Sequence, residues 1–335
     1  MQTPLPTRPL GRTGMDITRV GFGAWAVGGE WAFGWGPQDD ARSVTAIRHA
    51  VESGINWIDT APAYGLGHSE EVVAAALAGL PEADRPYVFT KAGLVWSESQ
   101  ADPRPARVGA PASIRREVEA SLRRLRTERL DLFQMHWPAE DGTPLDDYWG
   151  TFAELRDEGK VRAIGLSNHD VAQLEAAERL AHVDSLQPPL SAINRRAAGD
   201  VVPWCAAHET GVVVYSPMAS GLLSGSWTAE RSAALDPGDW RKGNPTFEGD
   251  RLAAALALAD GLRPVAERHQ VSVGAVAIAW TLAFPGVTGA IVGARGPEQI
   301  DGWLAAASLE LDATDLTAAA EAITASGAGS GPARP

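Results

Sequence analysis

The chain has 335 residues, 45% of them hydrophobic and 21% charged, an ordinary globular composition. Its 42 acidic residues against 29 basic ones give a net charge of −13, which argues against nucleic acid or an anionic membrane as a main partner. Cys205 stands alone, so an internal disulfide and a cysteine metal cluster are excluded, and a reducing, cytoplasmic setting is expected.

The first fourteen residues contain no apolar core of a secretory signal. Residues 8–20 read as a hairpin turning at GRTG. VGFGAW (20–25) is a glycine-rich strand without the spacing of a dinucleotide fingerprint. The pattern then becomes regular. A helix is predicted over 39–53, a strand at 56–61, a helix near 69–79 and a strand at 87–92. A Pro/Gly-rich loop covers 97–112, and the helix 113–126 aligns Ile114, Val118, Leu122 and Leu125 on one face. Strands follow at 130–137, 161–168, 185–189, 211–217 and 289–293. Between them lie helices at 148–158, 171–181 (capped by Asp170), 200–209, 252–269 and 272–284, with a last helix at 297–307. Residues 218–250 read as a long irregular loop. Residues 271–294 carry no charge, but Pro285–Gly286 divides them into a buried helix and a buried strand rather than a membrane span.

Eight strands separated by helices, several of them continuously apolar, point to α/β architecture with a parallel sheet buried on both faces. The count favours a (β/α)8 barrel preceded by a hairpin, with long loops at its C-terminal face. Residues 1–325 are expected to form one domain and 326–335, rich in Gly, Pro and Ser, a flexible tail.

Such barrels keep their chemistry at the C-terminal ends of the strands. Here those ends are polar: Asp59, Lys91, His136, Ser167–Asn168, Gln187 and Tyr215, with Tyr64 in the loop beyond the second strand. Each has an ordinary structural reading as well. Asp59 and Tyr64 suit turns, Lys91 a rim ion pair, His136 a satisfied core position and Tyr215 a packed strand end.

The motifs GINWIDTAPAYG, FTKAG, MHWP, GLSN, QPP, YSPMASGLLSG and IVGARGPEQI, in that order, resemble the aldo-keto reductase family over residues 8–325. The flavour is that of bacterial members related to potassium-channel β subunits. The resemblance implies a barrel that binds NADPH and reduces aldehydes and ketones without a metal. It implies that Asp59, Tyr64, Lys91 and His136 are catalytic. Reduction of a carbonyl builds an alkoxide, which needs a proton donor. Tyr64 is that donor, Lys91 lowers its pKa, Asp59 holds Lys91, and His136 orients the carbonyl or shares the proton transfer.

Cofactor contacts follow in the same way. Ser167, Asn168 and Gln187 resemble the residues that hold the nicotinamide carboxamide, and Tyr215 the ring that stacks on it. Ser216, Pro217, Met218, Ser220, Gly221 and Leu222 resemble the pyrophosphate segment. The first strand end, Gly23, Ala24 and Trp25, also falls on the cofactor groove. Gly293, Arg295 and Gln299 open the last helix, with Arg295, helped by Arg241 or Lys242, as the partner of a 2′-phosphate. The chain departs from the family at Gly302 and Trp303, where a Glu-Asn pair often contacts adenine, and at Ser226, where a Lys is sometimes found. Trp303 stacks on adenine or simply packs. For a small carbonyl substrate the expected pocket is Trp25, Tyr64, Trp96, His136 and Trp137, with the loops 97–112 and 218–250 as lids. Two rival readings share these residues: a cofactor-binding regulatory subunit of the channel type with slow catalysis, and an aldolase using Lys91 as a Schiff base.

Overall fold

The computed structural model describes residues 4–97 and 104–335. Its eight barrel strands run β1 Val20–Gly23, β2 Trp57–Asp59, β3 Tyr87–Ala92, β4 Leu130–Met135, β5 Val161–Ser167, β6 Ser185–Gln187, β7 Gly211–Tyr215 and β8 Val287–Gly293. Each pairs in parallel with its neighbour in sequence, and β8 closes on β1. The α/β barrel expected from the alternation is therefore the fold.

The barrel is closed from below by the N-terminal hairpin, where Thr7–Pro9 pairs antiparallel with Asp16–Thr18. Leu10, Met15 and Ile17 of the hairpin enter the lower barrel and pack with Trp57, Phe89, Leu132, Ala163, Val213 and Ile291. The Trp57 indole donates to the Thr18 carbonyl at 2.8 Å. It lies so close to β1 that a Cβ on Gly21 would stand 2.1 Å from the ring, so only glycine fits there. A second, larger apolar layer joins the outer faces of the strands to the surrounding helices. Its members sit at helical spacing, as Ile114, Val118 and Leu125 do on helix Pro111–Leu125.

Several helices differ from the sequence expectation. The span 252–269 is two helices, Gly249–Gly261 and Arg263–His269. Pro264 is the second residue of the latter and has no N–H to continue the ladder. The span 297–307 is helix Pro297–Asp301 followed by a 3-10 turn, Leu304–Ala307. Helix Ala313–Ser326 had no counterpart in the sequence reading. Its ATDLTAAAEAITAS offers alanine where periodicity needs contrast. Asp312 and Asp315 cap it reciprocally, and buried Asp315 also binds Arg268 and His269. The charge-free stretch resolves into buried helix Val273–Leu282 and strand β8, and no helix among the described residues is long and apolar enough to cross a membrane.

The tail expected to be flexible is fastened. Buried Arg195 donates to the carbonyls of Ala328 at 2.9 Å and Gly331 at 3.2 Å, and its backbone N–H donates to Ser330 at 3.0 Å. Glycine and serine leave the tail without a side-chain signal, and the backbone itself supplies the bonds. The loop 218–250 is likewise structured: it contains 3-10 turns Ala219–Ser224 and Pro245–Phe247 and helix Ala229–Ala233, and its Leu222, Trp227 and Phe247 form a small core with Leu252 of the following helix. Of the loop 97–112, residues 98–103 lie outside the described residues. Its base is a two-stranded ladder pairing Leu94–Val95 with Ala106–Arg107.

Candidate active site

Strand period carries alternate side chains into the barrel, so Trp57 and Asp59 on β2 point inward, as do Phe89 and Lys91 on β3. The strand register sets Lys91 beside Gln134 of β4, and Gln134 beside Gly165 of β5. A polar layer thus lies directly above the apolar floor.

Lys91 is fully buried. Its Nζ donates to Asp59 Oδ1 at 2.6 Å, to the Thr60 carbonyl at 2.9 Å and to the Tyr64 hydroxyl at 3.2 Å. Three acceptors satisfy the three ammonium protons. Burial alone disfavours the ammonium, but Asp59 and Tyr64 outweigh it and raise the Lys91 pKa above its ordinary value. On the outer face of β3, Thr90 donates at 2.6 Å to buried Glu70, which also accepts from Arg124 at 2.6 Å, so the strand that carries Lys91 is tied down from behind.

Tyr64 sits on the loop after β2, where Gly65 lies against Gly28 so tightly that a Cβ would meet the Gly28 oxygen at 1.9 Å. Its ring centroid lies 5.7 Å from that of His136, 6.4 Å from Trp25 and 6.0 Å from Trp31. The expected lowering of its pKa does not appear. Burial raises it more than Lys91 lowers it, and Asp59 adds to the rise. The phenol is therefore held protonated, with the Lys91 ammonium 3.2 Å from its oxygen. The His136 pKa lies well below its ordinary value, through burial first and then the charges of Lys91 and Arg107. The ring is a neutral hydrogen-bonding group, not a resident acid.

The candidate carboxamide residues gather beside this cluster. Ser167 donates to the Gln187 carbonyl at 2.8 Å, and Asn168 Nδ2 donates to the His136 carbonyl at 3.0 Å. Tyr215, the last residue of β7, donates its hydroxyl to Asn168 Oδ1 at 2.8 Å. Asn168 holds a left-handed backbone (φ 62°), one of the strained conformations that accumulate at functional sites. Gln187 Nε2 donates to Asp59 Oδ2 at 2.8 Å.

The segment 216–222 turns repeatedly through left-handed backbone, with φ of 56° at Ser216, 48° at Ala219, 54° at Ser220 and 103° at Gly221. Such winding makes concave runs of N–H groups suited to phosphate, and this supports the fit of the segment to a dinucleotide. Pro217, Met218 and Leu222 belong to the same turn, with Leu222 anchored in the loop's own core. Gly23 and Gly293 are register partners on β1 and β8, and Ala24 follows buried.

Arg295 and Arg241 are both committed elsewhere. Arg295 Nε donates to Gln38 Oε1 at 2.6 Å, its other nitrogens reach the carbonyls of Trp35 and Pro37, and its backbone N–H donates to Gln299 Oε1 at 2.7 Å. Arg241 pairs with Asp239, donates to the Ser220 carbonyl at 3.2 Å, and lies over the rings of Trp35 (4.3 Å) and Trp227 (4.8 Å). With the backbone bridge between Trp35 and Asp239 and the stack of Trp25 on Trp240 (5.8 Å), these contacts clasp the first loop to the long seventh loop.

Of the expected pocket residues, Trp25, Tyr64 and His136 come together. Trp137 instead holds the Arg107 guanidinium, 4.4 Å from its ring, and Arg107 pairs with Glu140. Trp96 follows the short ladder strand at the base of the neighbouring loop. Trp31, Trp240 and Gln134 join the site unassigned. Trp31 and Trp240 lie in irregular loops without periodicity, whereas Gln134 stands two positions before His136, the strand spacing that puts both on one face.

A lysine held charged is a poor amine nucleophile, so the site suits proton transfer and charge stabilisation rather than Schiff-base chemistry. With the closed parallel barrel, that is a barrel-mouth site built for moving a proton and holding charge. The chain belongs to the aldo/keto reductase family, whose model matches residues 19–324. It is 36% identical over 290 residues to the aldo-keto reductase YhdN of Bacillus subtilis, covering 86% of this chain and 85% of that protein. It is 33% identical to the NADH-specific methylglyoxal reductase of Escherichia coli, over 92% of this chain and 95% of that protein. Among solved structures, a glycerol dehydrogenase of Gluconobacter oxydans superposes with a TM-score of 0.87 at 36% identity, over 97% of each chain.

Proposed function

We propose that this protein reduces small aldehydes or ketones with NADPH, with Tyr64 as the proton donor. The observation that carries the reading is the Lys91 ammonium, buried in the closed barrel and bonded at once to Asp59 and to the Tyr64 hydroxyl. A bound nicotinamide would supply the hydride. Tyr64 gives its proton to the oxygen on which charge develops, and Lys91 stabilises the phenolate that remains. Asp59 keeps Lys91 charged and aimed. His136, neutral, directs the carbonyl oxygen toward Tyr64. Ser167, Asn168 and Gln187 would hold the carboxamide, Tyr215 would lie against the ring, and the 216–222 turn would receive the pyrophosphate. The indoles of Trp25 and Trp31 beside Tyr64 favour a small substrate with an apolar portion. The names of the relatives support an enzyme rather than a channel subunit.

The preference for NADPH rests on Arg295, which must exchange its loop partners for a 2′-phosphate, with Arg241 as the second cation. The Escherichia coli relative is named for NADH, so the test is direct. Titration with NADPH and with NADH, followed by tryptophan fluorescence, is expected to give tighter NADPH binding. Arg295→Ala is expected to weaken NADPH by about tenfold and to leave NADH unchanged. Equal binding of both cofactors by the wild type would keep the reductase and remove the phosphate assignment. Failure of a small aldehyde to consume either cofactor would remove the activity.

A further inference from the structure

Gln134 lies within the polar layer and has no role in the reading above. It is fully buried on β4, directly beside Lys91 in the register and two residues below His136. A glutamine there is costly unless its amide is satisfied. It reaches two groups that belong to different strands. Its Oε1 accepts from Gln187 Nε2 at 3.2 Å on β6, and its Nε2 points at Asp59 Oδ2, 3.5 Å away on β2. The strand between β4 and β6 carries Gly165 at this level. A Cβ on Gly165 would stand 3.1 Å from Gln134 Cγ and 2.8 Å from the Ser185 carbonyl. The missing side chain is what gives Gln134 room beside β5 to reach across.

The donor and acceptor assignment follows from Asp59. A carboxylate paired with Lys91 only accepts, so the Gln187 atom 2.8 Å from Asp59 Oδ2 is the amide nitrogen. One Gln187 amide proton goes to Asp59 and the other to Gln134. With both protons committed below, Gln187 must present its oxygen to the other side. We infer that Gln134 is a positioning residue that locks the Gln187 amide with its oxygen toward the cofactor, ready to accept from the carboxamide –NH2 of a nicotinamide. Without Gln134 the amide keeps its bond to Asp59 but loses the partner of its second proton, so its plane is free to tilt about that bond. A tilted Gln187 would carry its oxygen off the line on which it accepts from the carboxamide –NH2. The inference rests on the reading of Gln187 as a carboxamide contact.

Cofactor binding with two ligands tests it: NADPH, and its 3-acetylpyridine analogue, whose acetyl group has no N–H to donate. Gln134→Met keeps the length of the side chain and removes its amide. It is expected to weaken NADPH by about tenfold, the size of one buried hydrogen bond, and to leave the analogue unchanged. Gln187→Met should show the same selectivity, and the double variant should lose no more than Gln187→Met alone, because Gln134 acts through Gln187. Equal weakening of both ligands by Gln134→Met would mark a merely structural role and overturn the proposal, as would additive losses in the double variant. If Gln187→Met discriminates between the ligands and Gln134→Met does not, Gln134 falls and the cofactor reading stands. If Gln187→Met itself fails to discriminate, both fall. Gln134→Asn, too short to reach Gln187 but still polar, carries the same expectation should the methionine variant not fold.

Discussion

The floor and the mouth of the barrel are built from the same strands, yet they obey opposite rules. Below, Trp57, Phe89, Leu132, Val213 and Ile291 fill the interior with the hairpin residues Leu10, Met15 and Ile17. One step up each strand, Asp59, Lys91 and Gln134 replace them, all buried. Two residues separate Trp57 from Asp59 and Phe89 from Lys91, the period that returns a side chain to the same face. The floor gains from removing apolar area from water, and its cost of error is a cavity. The mouth has little such gain, and its charges persist because each finds a partner of fixed geometry. The difference teaches that the apolar layer stabilises the frame on which the polar layer is held, whereas chemistry needs only the upper one.

Five substitutions, grouped as four contrasts, test this division and what surrounds it. Tyr64→Phe removes the proposed proton donor and little else; kcat is expected to fall by about 10²- to 10⁴-fold, with cofactor affinity retained in a fluorescence titration. Retention of wild-type turnover would remove Tyr64 as the acid. Lys91→Met and Trp57→Ala each strike one layer. The first strands Asp59 in the interior and the second leaves a cavity, and denaturant unfolding should show a loss of about 3–5 kcal/mol in both. Their activities should diverge: folded Trp57→Ala turns over substrate, while folded Lys91→Met does not. Similar residual activity in the two would show that the layers are not separable in function.

The third contrast is in pH. His169, beside Asn168, is buried, donates Nδ1–H to the Ser167 carbonyl at 2.8 Å and accepts from the Tyr148 hydroxyl at 2.9 Å. Burial pushes its pKa down to about 4. The folded state therefore resists a proton that the unfolded chain takes up near pH 6.5. Stability is full above that pH and is lost as the pH falls toward 4, by about 3 kcal/mol from this residue. His136 adds loss of the same sign. His169→Phe should flatten part of the acid limb in unfolding experiments at several pH values; an unchanged slope would mean that His169 is not held neutral. The smallest effect is expected at the clasp over the mouth. Asp239→Asn loosens Arg241, and stopped-flow fluorescence should show cofactor release faster by about fivefold. An unchanged rate would mean that the clasp does not gate exchange.

Much of this was legible before the structure. Continuous apolar strands at regular intervals gave the closed parallel barrel, because burial on both faces leaves no polar alternation. Asp59, Lys91 and His136 were legible as polar residues where strands end. Less was legible in the alanine-rich helix Ala313–Ser326, where side chains carry too little contrast, and in the tail, where Arg195 binds backbone carbonyls that any residue would offer.

By itself, the sequence determined the order of strands and helices, the family, and which residue types stand at the barrel mouth. These are local properties, set by periodicity and turn chemistry. Only the tertiary structure decided how the mouth is wired. It brought Gln134 to Gln187 and Asp59 past the gap at Gly165, raised rather than lowered the Tyr64 pKa, and gave Arg295 and Arg241 partners in the distant first loop. Those outcomes depend on desolvation and on contacts between residues far apart in the chain, and neither quantity exists until the barrel has closed.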